Sequence, residues 1–141
     1  MKSTELRSDC PINYVSELIG DRWSLLVIRD MLLDGKTSYG EFLASEEKIA
    51  TNILSTRLAQ LESDGLIHKE RDPNNGTKNI YTLTEKGLDL APLFVEMMLW
   101  SAQYHDVPEN RRQAVTAAQA DRQKFGQMIR AARTGKGSIT F

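Results

Sequence analysis

Residues 49–87 constrain the fold more than any other part of this 141-residue chain. Three leucines recur at the i, i+4 and i+7 spacing of one helix face: Leu54, Leu58 and Leu61. The opposite face carries short, uncharged side chains: Asn52, Ser55, Thr56 and Ala59. Short side chains with amide and hydroxyl groups suit close contact with base edges in a DNA groove. We therefore predict a DNA-reading helix that has Thr51 as its N-cap and ends near Gly65.

The periodicity changes after this helix, and the next residues predict a β-hairpin. Residues 66–71 form the first predicted strand and residues 78–83 the second. The segment between them, Asp72-Pro73-Asn74-Asn75-Gly76, consists of residues that favour turns. Thr84 then suits the N-cap of another helix. A helix, a hairpin and a helix in this order form the core of a winged helix, which we favour over an α+β domain whose hairpin is only structural.

The hydrophobic pattern predicts three helices before this stretch and two after it: 12–20, 23–33, 38–44, 87–104 and 110–133. The third and the reading helix are joined by a short turn, which makes a helix-turn-helix. The predicted fold class is mainly α with a small β-hairpin: a winged helix-turn-helix with extra N- and C-terminal helices that form a dimer interface. Residues 1–9 and 134–141 are predicted to be flexible, residues 10–105 to form the DNA-binding domain with a dimerisation helix, and residues 106–133 to add a further dimerisation helix.

The helix predicted over residues 87–104 has apolar side chains around most of its circumference. One small domain cannot cover that surface alone, so we expect a second copy of the chain to bury part of it. Pro92 lies inside the pattern and is expected to kink the helix. The C-terminal helix carries an excess of basic residues, seven against two acidic ones over residues 109–136, and we expect this basic face to be solvated or near DNA.

The overall composition indicates a globular chain, with 40% hydrophobic and 26% charged residues. The sequence contains no apolar run of membrane-spanning length and no signal-peptide pattern, so we expect a cytoplasmic protein with no membrane partner. The net charge of −1 is not that of a strongly basic DNA-binding protein. Binding to DNA would therefore rely on specific contacts more than on non-specific attraction.

The sequence lacks the motifs of several kinds of catalytic and cofactor-binding sites. It contains no nucleotide-binding glycine loop, and its one cysteine and two histidines are scattered, so we expect no enzyme, no cofactor and no metal site. Trp23 and Trp100 are expected to be core or interface aromatics. The alternative is that they line a pocket at the dimer interface for a small-molecule effector.

Several motifs together resemble the HxlR family of bacterial winged-helix transcription regulators, which are of the broader MarR-like type. The resemblance covers roughly residues 10–105 and rests on these segments: Cys10-Pro11, IGDRWSLL at 19–26, LDG at 33–35, the helix at 49–61, DGLI at 64–67, YTLTEKG at 81–87 and Trp100. The chain departs from the family at Ser38-Tyr39, where Arg-Phe is common. Its hairpin tip is also less basic than in many relatives.

The resemblance implies a homodimer, formed through terminal helices, that binds double-stranded DNA and regulates transcription, for example as a repressor. Two reading helices would enter successive major grooves of a pseudo-palindromic operator, about 34 Å apart. The predicted DNA contacts on the reading helix are Thr51, Asn52, Ser55, Thr56 and Arg57, and those on the wing are Asn74, Asn75 and Lys78. Arg57 could reach a phosphate or pair with an acidic neighbour. The alternative function is a winged-helix module that binds proteins and not DNA.

The resemblance also draws attention to Cys10, because an N-terminal cysteine senses oxidants or electrophiles in some members of the family. Cys10 precedes a predicted helix, where the helix dipole favours a thiolate. An inert small residue is the alternative. No second cysteine exists in the chain, so a disulfide would have to join Cys10 to another chain or to a small thiol.

Overall fold

A computed structural model describes residues 5–135 and 139–141, and it shows helices around one two-stranded antiparallel sheet. The predicted fold class, a winged helix-turn-helix, is confirmed. The elements in chain order are α1 Pro11–Ile19, α2 Arg22–Asp34, α3 Tyr39–Leu43, α4 Thr51–Ser63, β1 Ile67–Asp72, β2 Asn75–Leu83, α5 Glu85–Leu88, α6 Ala91–Ala102, α7 Arg112–Ala120 and α8 Arg122–Thr134. A 3₁₀ turn at Glu109–Arg111 precedes α7.

Polar caps and one left-handed glycine mark the ends of the helices that precede the sheet in the chain. The Asp21 carboxylate accepts hydrogen bonds from the backbone N–H groups of Trp23 and Ser24 and so caps α2. Gly35, with φ of 65°, ends α2 in a left-handed conformation that glycine adopts without strain. Ser38 and Glu41 form a reciprocal capping box at α3. These local signals place α3 and α4 at fixed positions after α2.

Helix α4 buries the predicted leucine face against α2, β1 and the rest of the core. Leu54, Leu58 and Leu61 are all buried. The predicted N-cap is wrong by one residue, because Ala50 occupies that position and makes no side-chain cap. Thr51 is the first helical residue. The glycine signal at the other end is correct, since Gly65 has φ of 77° just after the Asp64 C-cap.

The hairpin places β1 and β2 in a register that runs from Ile67 opposite Leu83 to Asp72 opposite Asn75, with an irregularity after Arg71. The second strand therefore begins at Asn75, three residues before the predicted position. The base of the hairpin joins the core through Tyr81, whose ring packs edge-on against Phe42 of α3. The backbone N–H of Tyr81 also donates to the Thr37 carbonyl at 2.8 Å. The wing is thus fixed to the segment that leads into α3.

The single helix predicted over residues 87–104 is wrong, because the structure has two helices there. Helix α5 ends at Leu88, and Asp89 and Leu90 turn the chain before α6 begins at Ala91. Pro92 lies in the first turn of α6, where its missing N–H costs no helical hydrogen bond. It starts a helix and does not kink one. Thr84 caps α5 as predicted, by accepting from the Gly87 N–H.

The single C-terminal helix predicted over residues 110–133 is also wrong. Asp121, with φ of −160° and ψ of 95°, breaks it into α7 and α8, and its carboxylate caps α8 through the Lys124 N–H. Both helices pack on α6, and α8 also contacts α2. The expected basic surface is solvated in part, because Arg112, Arg122 and Lys124 are exposed. Its arginines pair with acidic residues of other elements, namely Arg111 with Asp34, Arg122 with Glu96, and Arg130 with Glu85 and Asp89.

The described ends of the chain make specific contacts with the rest of the fold. Phe141 donates its N–H to the Leu33 carbonyl at 2.8 Å and stacks edge-on against Phe125. Thr134 belongs to α8. Near the other end, the Arg7 N–H donates to Glu17 at 2.9 Å. Residues 1–4 and 136–138, which the predictions for both ends include, lie outside the described part of the chain.

Candidate nucleic-acid interface

The face of α4 opposite its leucines is exposed, as the periodicity predicts. Thr51, Asn52, Ser55 and Thr56 are all accessible to solvent. None of the four is charged, and the side-chain amide of Asn52 makes no hydrogen bond to residues 5–135 or 139–141. A helix with this surface can approach a groove closely, because no long side chain holds it away. The face therefore has the size and polarity of a base-reading surface.

The hydroxyl groups on this face already take part in hydrogen bonds within the protein. Tyr39 of α3 places its hydroxyl 2.8 Å from the Thr51 carbonyl oxygen and 3.1 Å from Ser55 Oγ. Thr56 Oγ1 donates to the Asn52 carbonyl oxygen one turn earlier, at 2.9 Å. These contacts fix two side chains of the reading face before any ligand binds. They also connect the start of α3 to the first turn of α4.

Arg57 follows the second of its two predicted alternatives, because it pairs with an acidic neighbour. Its Nε lies 2.9 Å from Asp21 Oδ1, the same oxygen that caps α2. Burial alone would raise the pKa of Asp21, but hydrogen bonds from Ser24 and Arg57 outweigh it and hold that pKa below its usual value. Arg57 therefore joins α4 to the start of α2.

The wing presents amide groups and the side chain of Lys78 at its tip. Asn74 donates its N–H to Asp72 Oδ1 at 2.8 Å, and Asn75 Oδ1 accepts from the Thr77 hydroxyl at 2.7 Å. Arg71 donates to the Gly76 carbonyl and so braces the turn from inside. Lys78 is exposed and forms no ion pair or hydrogen bond with the described residues. Lys78 is thus available for a phosphate, and the two asparagines shape the tip beside it.

A buried ionic cluster lies beneath the turn between α3 and α4. Asp30 of α2 is only 2% exposed, and it accepts hydrogen bonds from Arg29 at 2.7 Å and from the Ser45 hydroxyl. Arg29 also pairs with Glu47 at 2.6 Å, while Lys36 lies 3.6 Å from Asp30. The Arg29 hydrogen bond is the main cause that lowers the pKa of Glu47 to about 2. The cluster holds the turn on α2 and hence sets where α4 begins.

Cys10 is exposed and stands at the N-cap of α1. Backbone N–H groups of Asn13 and Ile12 lower the pKa of its thiol below the usual value.

The described part of the chain contains no group of histidine, cysteine or acidic residues arranged to hold a metal ion. Nor does any helix in that part combine the length and apolarity needed to span a membrane.

Within the described part of one protomer, the two tryptophans lie at separate places. Trp23 borders a narrow crevice beside Phe42 and Ile49, under the helix-turn-helix. Trp100 is 66% exposed on α6 and stacks on Tyr104 with ring centroids 5.2 Å apart. A separate cavity of about 360 Å³ opens between α2, α6 and α7, and neither tryptophan lines it. Trp100 is thus a surface aromatic, and the cavity is a candidate site that the sequence did not indicate.

Sequence patterns missed the residues that position the reading helix. The contact of the Tyr39 hydroxyl with Ser55 leaves no periodic signal, because it joins two different helices. The Asp30 cluster leaves no periodic signal, because its members come from two helices and a turn. One usable signal existed at Asp21, since an aspartate between a glycine and an apolar helix is a typical N-cap. The predicted DNA contacts on α4 could be found from the sequence because they share one helix face.

Comparison with known proteins adds a family assignment to this geometry. A family model described as HxlR-like helix-turn-helix matches residues 18–109. The HTH-type transcriptional regulator YybR of Bacillus subtilis is 32% identical over 106 residues, which are 75% of this chain and 84% of YybR. The HTH-type transcriptional regulator YodB of the same organism is 35% identical over 96 residues, covering 67% of this chain and 85% of YodB.

A solved structure agrees with these sequence matches. The redox regulator HypR in its oxidised form superposes with a TM-score of 0.61 at 32% identity, over 70% of this chain and all of HypR. The matched family region ends before α7 and α8. Those two helices are therefore an addition to the part that the family model describes.

Proposed function

This chain belongs to the HxlR-like helix-turn-helix family of transcriptional regulators, which are not enzymes, and on that premise we propose that it regulates transcription as a homodimer bound to a pseudo-palindromic DNA operator. The observation that carries the proposal is the exposed, uncharged polar face of α4 beside a wing whose Lys78 has no ion-pair or hydrogen-bond partner among the described residues. Asn52, Ser55 and Thr56 would contact base edges. Lys78, with Asn74 and Asn75, would contact the backbone or the minor groove.

The proposed dimer is supported by apolar side chains left exposed on and after α6. Leu93, Trp100 and Tyr104 lie at the spacing of one helix face and are 37%, 66% and 73% exposed. Helix α8 covers another side of α6 within the same protomer. An exposed face with two large aromatic rings is typical of a protein interface. We therefore assign this face, and not the α7–α8 pair, to the second copy of the chain.

The proposed signal is an oxidant or an electrophile that modifies Cys10. The relative HypR is a redox regulator, and in this chain the thiol is exposed with a lowered pKa. A thiolate is the reactive form of cysteine. Modification at the start of α1 would alter the packing of the terminal helices and hence the spacing of the two reading helices.

A small-molecule effector is the second candidate signal, favoured by the cavity between α2, α6 and α7. Its wall is mainly apolar, with Phe94, Met97 and Met98 among its residues, and its ionisable residues are Arg29, His105 and Arg111. Arg29 already pairs with Asp30 and Glu47, and Arg111 with Asp34, so the lining matches a small, mainly apolar molecule. Because Arg29 also holds Glu47, such a ligand would act on the turn between α3 and α4.

Selection of bound duplexes from a random DNA pool tests the proposed function. We expect the wild-type protein to enrich a two-fold symmetric sequence whose half-sites are about one helical turn apart. Binding of that sequence and of a random duplex would then be compared at two salt concentrations. Equal affinity for both duplexes, or no binding at all, would contradict the proposal and favour a protein-binding winged helix.

A further inference from the structure

The side chain of Tyr39 determines which hydrogen-bonding group Ser55 offers to a ligand. A tyrosine hydroxyl has one proton and can also accept. That proton goes to the Thr51 carbonyl oxygen, 2.8 Å away, because a carbonyl can only accept. In the second contact, at 3.1 Å, the tyrosine oxygen must therefore accept and Ser55 Oγ must donate. Ser55 keeps only lone pairs to present to the solvent side.

The Thr56 hydroxyl can also only accept a hydrogen bond from a ligand, because its own proton is used in a different contact. Its Oγ1 donates to the Asn52 carbonyl oxygen at 2.9 Å, and this carbonyl cannot donate in return. Two adjacent exposed hydroxyls on α4 thus present acceptors only. The amide of Asn52 differs, because it still carries both donors and an acceptor. The reading face therefore has a defined donor and acceptor pattern before DNA arrives.

We propose that Tyr39 is a specificity-determining residue, which makes Ser55, together with Thr56, select DNA bases that carry an amino group on their major-groove edge. In the major groove the N–H donors are the N4 amine of cytosine and the N6 amine of adenine. Guanine and thymine present only acceptors on that edge, so a lone pair of Ser55 facing them is repelled. The proposal rests on the proposed function, because it requires α4 to enter the major groove.

The Tyr39→Phe variant isolates the hydroxyl, since it keeps the ring that packs beside α4. Without the tyrosine oxygen, the Ser55 proton has no fixed acceptor on α3. Ser55 Oγ can then rotate and donate to guanine O6 or N7, or to thymine O4. The variant should therefore lose discrimination at one base position per half-site while it keeps most of its affinity.

The test uses duplexes selected by the wild-type protein from a random pool. The position read by Ser55 is identified as the one where Ser55→Ala loses its base preference. Each of the four bases is then placed there, and the amino group alone is deleted by using purine for adenine or 2-pyrimidinone for cytosine. We expect the wild type to prefer the amino bases by roughly 3- to 10-fold, the range that one net hydrogen bond supplies.

The expected pattern across variants is specific. Amino-group deletion should weaken wild-type binding by about the same factor and leave Ser55→Ala binding unchanged. Tyr39→Phe should reduce the preference to less than about twofold, and the double variant should match Ser55→Ala. Tyr14→Phe, which removes a hydroxyl from an exposed tyrosine on α1, serves as the matched control and should retain the wild-type preference. Circular dichroism melting of each variant confirms that it is folded.

Three outcomes overturn the inference. If Tyr39→Phe weakens all duplexes equally and the base preference persists, Tyr39 only positions α4. A wild-type preference for guanine or thymine at the Ser55 position contradicts the acceptor assignment but leaves the regulator intact. A wild-type protein that selects no sequence from the pool contradicts the proposed function itself. The amino-deleted duplexes keep the test decisive with the wild type alone, even where a variant fails to fold.

Discussion

At the residue scale, Asn52 is the proposed base reader that has the most freedom to choose its partner. Its exposed amide can donate and accept at once, which matches the N6 and N7 edge of adenine. We expect Asn52→Ala to weaken binding to the selected operator by roughly 1–3 kcal/mol and to relax one position per half-site. Fluorescence anisotropy with single-base operator variants measures both effects.

The control for this substitution is Asn110→Ala, at an exposed asparagine in the 3₁₀ turn before α7. It should leave operator binding unchanged. If Asn52→Ala instead loses affinity equally for the operator and for a random duplex, Asn52 contacts the DNA backbone or only supports the helix.

Substitutions at Lys78 and Arg57 should have different effects, because Lys78 is proposed to contact a phosphate and Arg57 forms an ion pair within the protein. Lys78 is unpaired within the described part of the chain, so Lys78→Ala should weaken binding to every sequence and reduce the salt slope by about one. Arg57 is held by Asp21, so Arg57→Ala should leave that slope unchanged and lower the free energy of unfolding by about 0.5–1 kcal/mol.

The measurements are salt titrations of DNA binding and urea unfolding. Lys124→Ala on α8 provides a control lysine, whose removal should change neither quantity. A reduced salt slope for Arg57→Ala would show that Arg57 leaves Asp21 and reaches a phosphate in the complex.

Single-residue contacts could be predicted from the sequence only where they share a helix face. The exposure of Asn52, Ser55 and Thr56 follows from the spacing of the leucines behind them. The Tyr39–Ser55 contact joins residues 16 positions apart, and it depends on how α3 crosses α4. The spacing of residues in a sequence gives no information on the angle between two helices. This contact and the pairing of Arg57 with Asp21 could therefore be found only in the structure.

At the element scale, the approach of α5 to the start of β1 requires a glycine. A Cβ added at Gly87 would lie well inside contact distance of the Leu66 carbonyl oxygen, which is a fixed backbone atom. Gly87→Ala should therefore lower the free energy of unfolding by about 1–3 kcal/mol, the usual cost of overpacking. Thermal or urea unfolding measures this loss.

Gly40 in α3 is the matched helical glycine for comparison. A Cβ built there meets no atom within 4 Å, so Gly40→Ala should be neutral or stabilise the protein by up to about 1 kcal/mol. Equal destabilisation by both substitutions would show that the approach at Gly87 does not determine the result.

The turn between α3 and α4 should make stability depend on acid pH through Glu47. Arg29 holds the pKa of Glu47 at about 2, below its value of 4.5 in the unfolded chain. A lowered pKa stabilises the fold above pH 4.5, and that contribution is lost as the pH falls toward 2. Glu47→Gln should remove up to about 1 kcal/mol at pH 7, because the pair is partly exposed, and the difference from wild type should vanish near pH 2.

Urea unfolding at a series of pH values checks this expectation. Glu46→Gln, at the exposed neighbour in the same turn, is the control and should follow the wild-type pH dependence. A wild-type and Glu47→Gln difference that is constant from pH 7 to pH 2 would exclude an electrostatic origin.

Element boundaries could be predicted where polar caps mark them and not where the apolar pattern continues. The predicted start of α3 at Ser38, the end of α4 near Gly65 and the cap at Thr84 agree with the structure. The breaks before α6 and α8 were missed because apolar residues continue on both sides of them. Asp121 could have indicated the second break, since an aspartate can cap a helix inside a continuous amphipathic pattern.

At the scale of the whole molecule, the surface on α6 should control assembly. Leu99 is buried in the protomer core, so a charge there would unfold the chain and report nothing about assembly. Trp100 is exposed, and Trp100→Glu would place an unpaired carboxylate in the proposed interface. We expect the wild type to sediment as a dimer at micromolar concentration and Trp100→Glu to dissociate at least about tenfold more readily while it keeps its circular dichroism spectrum.

Met128→Glu on α8 provides the comparison, because it adds the same charge at another exposed apolar residue. It should leave the dimer intact if α7 and α8 only cover their own protomer. A monomeric wild type would contradict the dimer, and dissociation by Met128→Glu alone would move the interface to α8.

Oxidation of Cys10 is expected to change how the dimer binds its operator. The exposed Cys10 thiol should react faster with diamide than an ordinary cysteine does, because the α1 backbone N–H groups lower its pKa and so favour the reactive thiolate form. Diamide removes two electrons and two protons from two thiols, and since the chain has no second cysteine, the disulfide must join Cys10 to the partner's Cys10 or to a small thiol such as glutathione. Operator binding by the wild type should fall by at least about tenfold on treatment and recover with a reductant.

Cys10→Ser should bind the operator equally well in both conditions, and mass spectrometry should identify the adduct. If the oxidised wild type carries the disulfide and still binds the operator with unchanged affinity, Cys10 does not transmit a signal, and ligands of the cavity between α2, α6 and α7 become the compounds to assay.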